Sequence, residues 1–362
     1  MEHREGELLF EDRFGGSSTG EWAIPPISLI EGPEHGKVLH LKAGDPNAAP
    51  WLGWVGDDTW KNYRLELEVL PVGEGNGFLG FDFHVQGGES SCCNVHFPAF
   101  PEGGERHFEG CGRYDDSNTS WKLGPLSQRT APAAAGEWLR LRLDAGETVA
   151  NLYTGDIPEP VFTIYDLPFA SGGIRLWRYY ASAYFRNLRV TALDAVEPVL
   201  EDVWGNVLDP GVIRDWKISR MFPVGFGADD PVEASRSGKM GWRDVSTDRR
   251  GVVNVIGIDP GEYCKKGVVF AKAPVESPEK GACQFRLTYT DQLSMWLNGA
   301  RVFEGEHRGW NDPGRSEDDG WGRLMPDQFR VELPLTPGEN EMLVRLEVNE
   351  PLFGSGFWVR AL

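Results

Sequence analysis

The chain has 362 residues, long enough for two domains with full cores, and carries 36 Lys and Arg against 55 Asp and Glu, a formal net charge of −19. That acidic balance excludes the basic stripe that holds nucleic acid by its phosphates and the basic patch that docks on anionic membranes; no apolar run of about 18 residues is present to span a bilayer. Gly (45), Pro (25) and a 12% share of aromatics that includes 14 Trp predict an all-β protein with many turns.

The opening Met1-Glu-His-Arg-Glu-Gly6 lacks the apolar stretch of a signal peptide, which predicts a cytoplasmic location unless a leader has been trimmed. Leu8-Leu-Phe-Glu-Asp-Arg-Phe14 comes next. Strand-like runs follow at 38–41, 63–70, 78–85, 138–143, 149–154, 161–164, 173–177 and 183–190, separated by Gly-rich turns such as 73–77 and 171–173. Cys92 and Cys93 are neighbours in a predicted strand, so their side chains point to opposite faces. Five Cys without a zinc spacing read as free thiols in a reducing compartment.

Periodicity fades after Val190 and places a boundary near 195–205, dividing the chain into domains 1–195 and 205–362. The second half runs through apolar segments at 215–223, 251–257 and 267–272. It then reaches the strongest local signal in the chain, Leu287 to Phe303 around Asn298-Gly299. Asn-Gly supplies the two positive-φ residues of a type I′ hairpin. Leu293, Met295 and Leu297 point one way, Ser294 and Trp296 the other. Strands at 329–335, 337–347 and 357–360 close the chain.

Four pieces of the first half together resemble the concanavalin-like (laminin-G-like) jelly roll of bacterial proteins. They are Phe10-Glu-Asp-Arg-Phe14, Gly136-Glu-Trp-Leu-Arg-Leu-Arg-Leu143, Gly172-Gly-Ile-Arg-Leu-Trp177 and Ala183-Tyr-Phe-Arg-Asn-Leu-Arg-Val190. The resemblance implies that the closing strand pairs with the opening one. Arg186 stands where an acidic residue is common in that fold, which removes one calcium-ligand candidate. In the second half, Asp291-x-x-x-x-Trp296-Leu-Asn-Gly299 and Leu335-Thr-Pro-Gly-Glu-Asn-Glu-Met-Leu-Val344 are similar to galactose-binding-like β-sandwich modules. Their order matches bacterial two-module proteins.

Three groups of residues carry candidate chemistry. Asp82 and His84 lie two apart in one strand, Asn94 and His96 two apart in the next, so each pair is expected to share a face. A carboxylate beside a His serves acid–base work, which makes Asp82, His84 and His96 the catalytic candidates, with Asn94 as a binder. The stretch 105–121 reads as a long loop that gathers His107, Glu109, Arg113, Tyr114 and Asp115 ahead of Trp121, a mixture suited to sugar hydroxyls and ring faces. The stretch 307–321 offers Trp310 and Trp321 as stacking platforms and Asp312, Glu317, Asp318 and Asp319 as oxygen ligands for Ca²⁺. The retaining-glucanase run Glu-x-Asp-x-x-Glu is missing from the first half, and no Walker A or His-Glu-x-x-His pattern occurs.

The two-module resemblance implies a carbohydrate-binding or carbohydrate-processing-associated protein whose partner is a saccharide. Two alternatives stay open. One is a hydrolase or lyase acting on saccharides through Asp82, His84 and His96. The other is an intracellular isomerase or cyclase that encloses a non-sugar small molecule in an apolar pocket.

Overall fold

The computed structural model describes residues 3–14, 22, 29–32, 36–42, 51–72, 77–87, 91–100, 105–114, 119–124, 129, 131–132, 136–201, 211–307, 322–325 and 328–362. The chain is all-β in character and packs as two compact units. One comprises 1–116 with 124–201, the other 117–123 with 202–362.

The first unit is a sandwich of two antiparallel sheets. Its larger sheet has eight strands. Seven run in the order Phe162–Tyr165, Val149–Thr154, Leu139–Ala145, Tyr63–Val72, Ser182–Ala192, Gly36–Leu41, Leu29–Gly32. Leu8–Asp12 pairs antiparallel with Ser182–Ala192, Phe10 opposite Val190, so the closing strand does lie beside the opening one. The smaller sheet runs Trp51–Val55, Gly173–Tyr179, Phe78–Val85, Cys92–Pro98, Glu109–Arg113.

Strand alternation builds the core between these sheets. Tyr63, Leu65, Leu67 and Val69 point inward from the large sheet and are buried, while the intervening Arg64, Glu66 and Glu68 are half-buried. Phe81, Phe83, Val95, Phe97, Ile174 and Leu176 answer from the small sheet within the same cluster. Cys93 belongs to that core, while its neighbour Cys92 lies near the Arg175 guanidinium, as opposite faces require. All five cysteines are free thiols.

The second unit is also a sandwich. Six strands run Arg243–Ser246, Asp215–Ile218, Gly267–Ser277, Gly338–Val348, Asp291–Leu297, Ala300–His307. Four more run Val253–Asn254, Gly356–Ala361, Gly281–Tyr289, Phe329–Leu335. The Asn298-Gly299 hairpin forms as its sequence requires, with φ of 51° and 84° at the two turn residues. Leu293, Met295 and Leu297 enter the main core, and Trp296 packs in a separate cluster on the other face. The segment 251–257 gives only a two-residue strand, because the Asn254 side chain accepts the Gly257 N–H and caps a helical turn over Val255–Ile258.

Asn340 explains why the 335–344 stretch turns where it does. Its side-chain oxygen accepts the Thr336 backbone N–H, and its amide donates to the Val275, Thr336 and Gly338 carbonyls. The same unit holds a fully buried Lys122, whose Nζ lies 3.3 Å from both carboxylate oxygens of Asp291 and 3.5 Å from Glu350. Among the described residues, no helix is long and apolar enough to cross a membrane.

Candidate functional site

Strand register assembles the site on the outer face of the small sheet in the first unit. One cross-strand row reads Trp177, Gly80, His96, Glu109. The next reads Trp54, Arg175, Asp82, Asn94, Cys111. Neighbours one residue away (Phe81, Val95, Leu176) point into the core, so these rows point away from it.

Asp82 is the hub of charge. It is fully buried and accepts Arg175 Nε at 2.9 Å and Asn94 Nδ2 at 2.6 Å, with Arg113 3.7 Å away. Asn94 then offers its amide oxygen to His96 Nδ1 at 2.7 Å, and His96 Nε2 lies 3.3 Å from Glu109. Asn94 and His96 therefore share a face as expected. Two arginines balance two acids across the row, which is how a buried charge cluster is tolerated. Gly80 is required here, since a Cβ would stand 2.0 Å from the Val95 carbonyl oxygen. Across it the His96 and Trp177 rings meet edge-on at 5.7 Å.

At the end of this face the sheet turns aromatic. Trp177 and Tyr179, two apart on one strand, hold their rings 5° from parallel with centroids 6.4 Å apart. Tyr180 adopts φ 51° and sets its ring perpendicular to Tyr179 at 4.3 Å. Tyr179 and Tyr180 are 49% and 54% exposed, unusual for large aromatics. Among the described residues, the indole N–H groups of Trp54 and Trp177 have no hydrogen-bond acceptor. The expected site residues did not include this corner. Its signal was Trp177-Arg-Tyr-Tyr180, where two adjacent tyrosines end an alternating strand.

His84 departs from its expected place. A residue two beyond Asp82 should share its face, but His84 has φ 51° and the pairing of its strand with Gly173–Tyr179 slips between Gly173 and Arg175. Such a bulge reverses the alternation. The ring packs edge-on against Tyr63 of the opposite sheet, its nitrogens 2.8 Å from the Phe169 carbonyl oxygen and 3.1 Å from that of Lys61.

Burial lowers the His84 pKa to about 4, against the pull of those two carbonyls. The unfolded ring takes a proton near its ordinary value of about 6.5 while the folded ring stays neutral, so stability is full above that pH and falls as pH drops toward 4. The expected loss over this window is up to about 3 kcal/mol. Urea unfolding at pH 7 and pH 4.5 checks it: His84→Asn should flatten part of the pH dependence, and an unchanged slope would refute the assignment.

The remaining candidates scatter. The 105–121 stretch is less loop-like than expected: Glu109–Arg113 is a strand paired with Cys92–Pro98, which is why Glu109 and Arg113 reach the face. His107 is exposed. Tyr114 packs its ring 6.1 Å from Phe169. Trp121 belongs to the second unit, edge-on to Phe353 with the Arg323 guanidinium 4.5 Å over its ring. Asp115, Trp310, Trp321, Asp312, Glu317, Asp318 and Asp319 lie outside the described residues. Among the described residues, no three His, Cys, Asp or Glu side chains are grouped to hold a metal ion.

No family model matches the chain, and no curated protein matches it. Solved structures do. A carbohydrate-binding module from Bacillus subtilis aligns over 47% of this chain and 98% of its own, with 13% identity and a TM-score of 0.33. A Bacillus subtilis protein of unknown function with a galectin-like fold aligns over 52% and 97%, with 11% identity and a TM-score of 0.36. The fourth domain of an extracellular arabinanase from Geobacillus stearothermophilus, solved with arabinotriose, aligns over 53% and 96%, with 14% identity and a TM-score of 0.35. Similarity this low assigns no ligand, and the functional reading rests on the residues of the face.

Proposed function

We propose that the first unit binds a neutral saccharide, without catalysis, at the aromatic end of its small sheet. This reading keeps the two-module resemblance, a jelly roll followed by a galactose-binding-like sandwich. The observation that carries it is the exposed corner of Tyr179 and Tyr180 continuing the parallel Trp177 ring. An aromatic face buries the apolar C–H face of a sugar, and the Trp177 ring is held in place by the buried His96 ring beside it. The chain's net charge of −19 favours neutral sugars over anionic ones.

The placement of Asp82 and His84 argues against the hydrolase reading. Asp82 is sealed between two arginines and an asparagine, and His84 faces the opposite sheet. Retaining glycosidases hold two free carboxylates about 5–5.5 Å apart. The face keeps one acid beside a histidine, the Glu109–His96 pair.

Calorimetric titration against neutral oligosaccharides tests the reading, with each mixture assayed afterwards for products. Tyr179→Ala should weaken binding by about tenfold, equivalent to about 1.4 kcal/mol, at unchanged thermal midpoint. Equal affinity of the variant would move the site elsewhere. Cleaved ligand would make the protein an enzyme and direct attention to His96 and Glu109.

A further inference from the structure

The hydrogen bonds of the small-sheet face run in one direction. Asp82 accepts two Arg175 nitrogens at 2.9 and 2.8 Å, and a carboxylate can only accept. The Asn94 group 2.6 Å from its other oxygen is therefore the amide nitrogen. That turns the Asn94 oxygen toward His96 Nδ1, 2.7 Å away, so Nδ1 is the nitrogen that carries a proton in either charge state of the ring. His96 Nε2 is left facing the Glu109 carboxylate at 3.3 Å. With a proton on Nε2 this contact is an ion pair. Without one, two acceptors face each other, and both residues are only 7% exposed, so water does little to separate them.

The charged and titratable groups around the imidazole come from three strands. Glu109–Arg113 brings Glu109, the Cys111 thiol 3.8 Å from the Asn94 oxygen, and Arg113, which stands 5.8 Å from the Trp177 ring centre. Phe78–Val85 brings Asp82, flanked by Arg113 and Arg175, and the apolar Phe78 ring edge-on at 5.8 Å. Gly173–Tyr179 brings Arg175 and the Trp177 ring, edge-on at 5.7 Å. Among the described residues, Glu109 is thus the acid in direct contact with the ring, and Trp177 is where the ring meets the sugar face. Trp177 in turn lies parallel to the exposed Tyr179, so a shift at His96 displaces the start of the aromatic platform.

We propose that His96 is a positioning residue for the sugar face and makes its affinity depend on pH: the imidazolium, pinned between Asn94 and Glu109, holds the Trp177 ring in its stacking position, and loss of the Nε2 proton releases it. The inference rests on the neutral-sugar reading of that face. Imidazole changes charge between about pH 5 and 8, so affinity should be highest at the acid end of this range and fall several-fold toward the alkaline end.

The test is nitrogen-15 NMR of the full chain across that range, followed by calorimetry with a neutral oligosaccharide at both ends. The His96 ring and the Trp177 indole N–H are assigned by their loss in His96→Gln and Trp177→Phe. The His96 Nδ1 proton should persist throughout, Nε2 should titrate, and the Trp177 signal should move with the same midpoint. Glu109→Gln gives Nε2 an amide that donates to the neutral ring and accepts from the charged one, so the Trp177 shift and the pH dependence of binding should both vanish. If that variant does not fold, the titration of the parent carries the test. A His96 ring that does not titrate, a Trp177 signal that stays constant, or an unchanged pH dependence in Glu109→Gln would overturn the proposal. Sugar binding of equal strength at both ends would overturn it too and leave the sugar reading intact. If His96 and Trp177 titrate together but no sugar binds at either pH, the coupling stands and the sugar reading falls.

Discussion

Asp82→Ala is expected to destabilise the first unit by about 3–5 kcal/mol, the cost of breaking a buried ion pair and leaving its partners uncompensated. The carboxylate is fully buried and bonds Arg175, itself 1% exposed, through two nitrogens at 2.9 and 2.8 Å. Arg113 stands 3.7 Å from the other oxygen, which also accepts the Asn94 amide. Removing it takes a buried carboxylate from beside two buried guanidinium groups and unsupports the amide that orients His96. Asp82→Asn is the sharper control. It keeps the volume and removes the charge, so it should cost a similar amount if the ion pairs dominate. Hydrogen exchange of the 78–85 and 92–98 strands would locate the loss. A thermal midpoint within a few degrees of the parent for both variants would refute this structural role and return Asp82 to the catalytic candidates.

That expectation shows where sequence reasoning held and where it stopped. Strand alternation, turn residues and the Asn-Gly dipeptide are local, and they carried the sandwiches and the hairpin. The pairing of Asn94 with His96 was also legible, because both sit in one regular strand. His84 was not, because a bulge depends on a slip against a neighbouring strand and leaves no mark in the spacing of Asp82 and His84. Arg175 was missed for a related reason. It lies more than 90 residues beyond Asp82 in sequence, and only sheet order brings them together. Glu109 and Arg113 were named for their residue types, and the structure places both in a strand beside Cys92–Pro98 where a loop was expected. The aromatic corner could have been read from the sequence, since Tyr179-Tyr180 must leave one ring on each side of a continuing strand unless the backbone turns there.

Lys122→Met should cost the second unit about 3–5 kcal/mol as well. Lys122 sits in a single 3-10 turn, Trp121–Leu123, that packs with 202–362 although it lies far from that segment in sequence. Its ammonium is fully buried against Asp291 and Glu350. Asp291 holds a strained φ of 58°, and one of its oxygens accepts the backbone N–H groups of Asn349 and Glu350. The lysine is thus the cation that lets a buried carboxylate organise the turn after the Gly338–Val348 strand. Methionine fills the same space without charge, so the loss should come from the buried Asp291 carboxylate losing its cation and not from a cavity. A double-mutant cycle separates these causes. If charge is the reason, Lys122→Met with Asp291→Asn should be less destabilised than the sum of the single changes, with a coupling of about 1–3 kcal/mol. Additive losses would instead assign the effect to packing, and Lys122→Met within about 0.5 kcal/mol of the parent would show that the buried ammonium is dispensable.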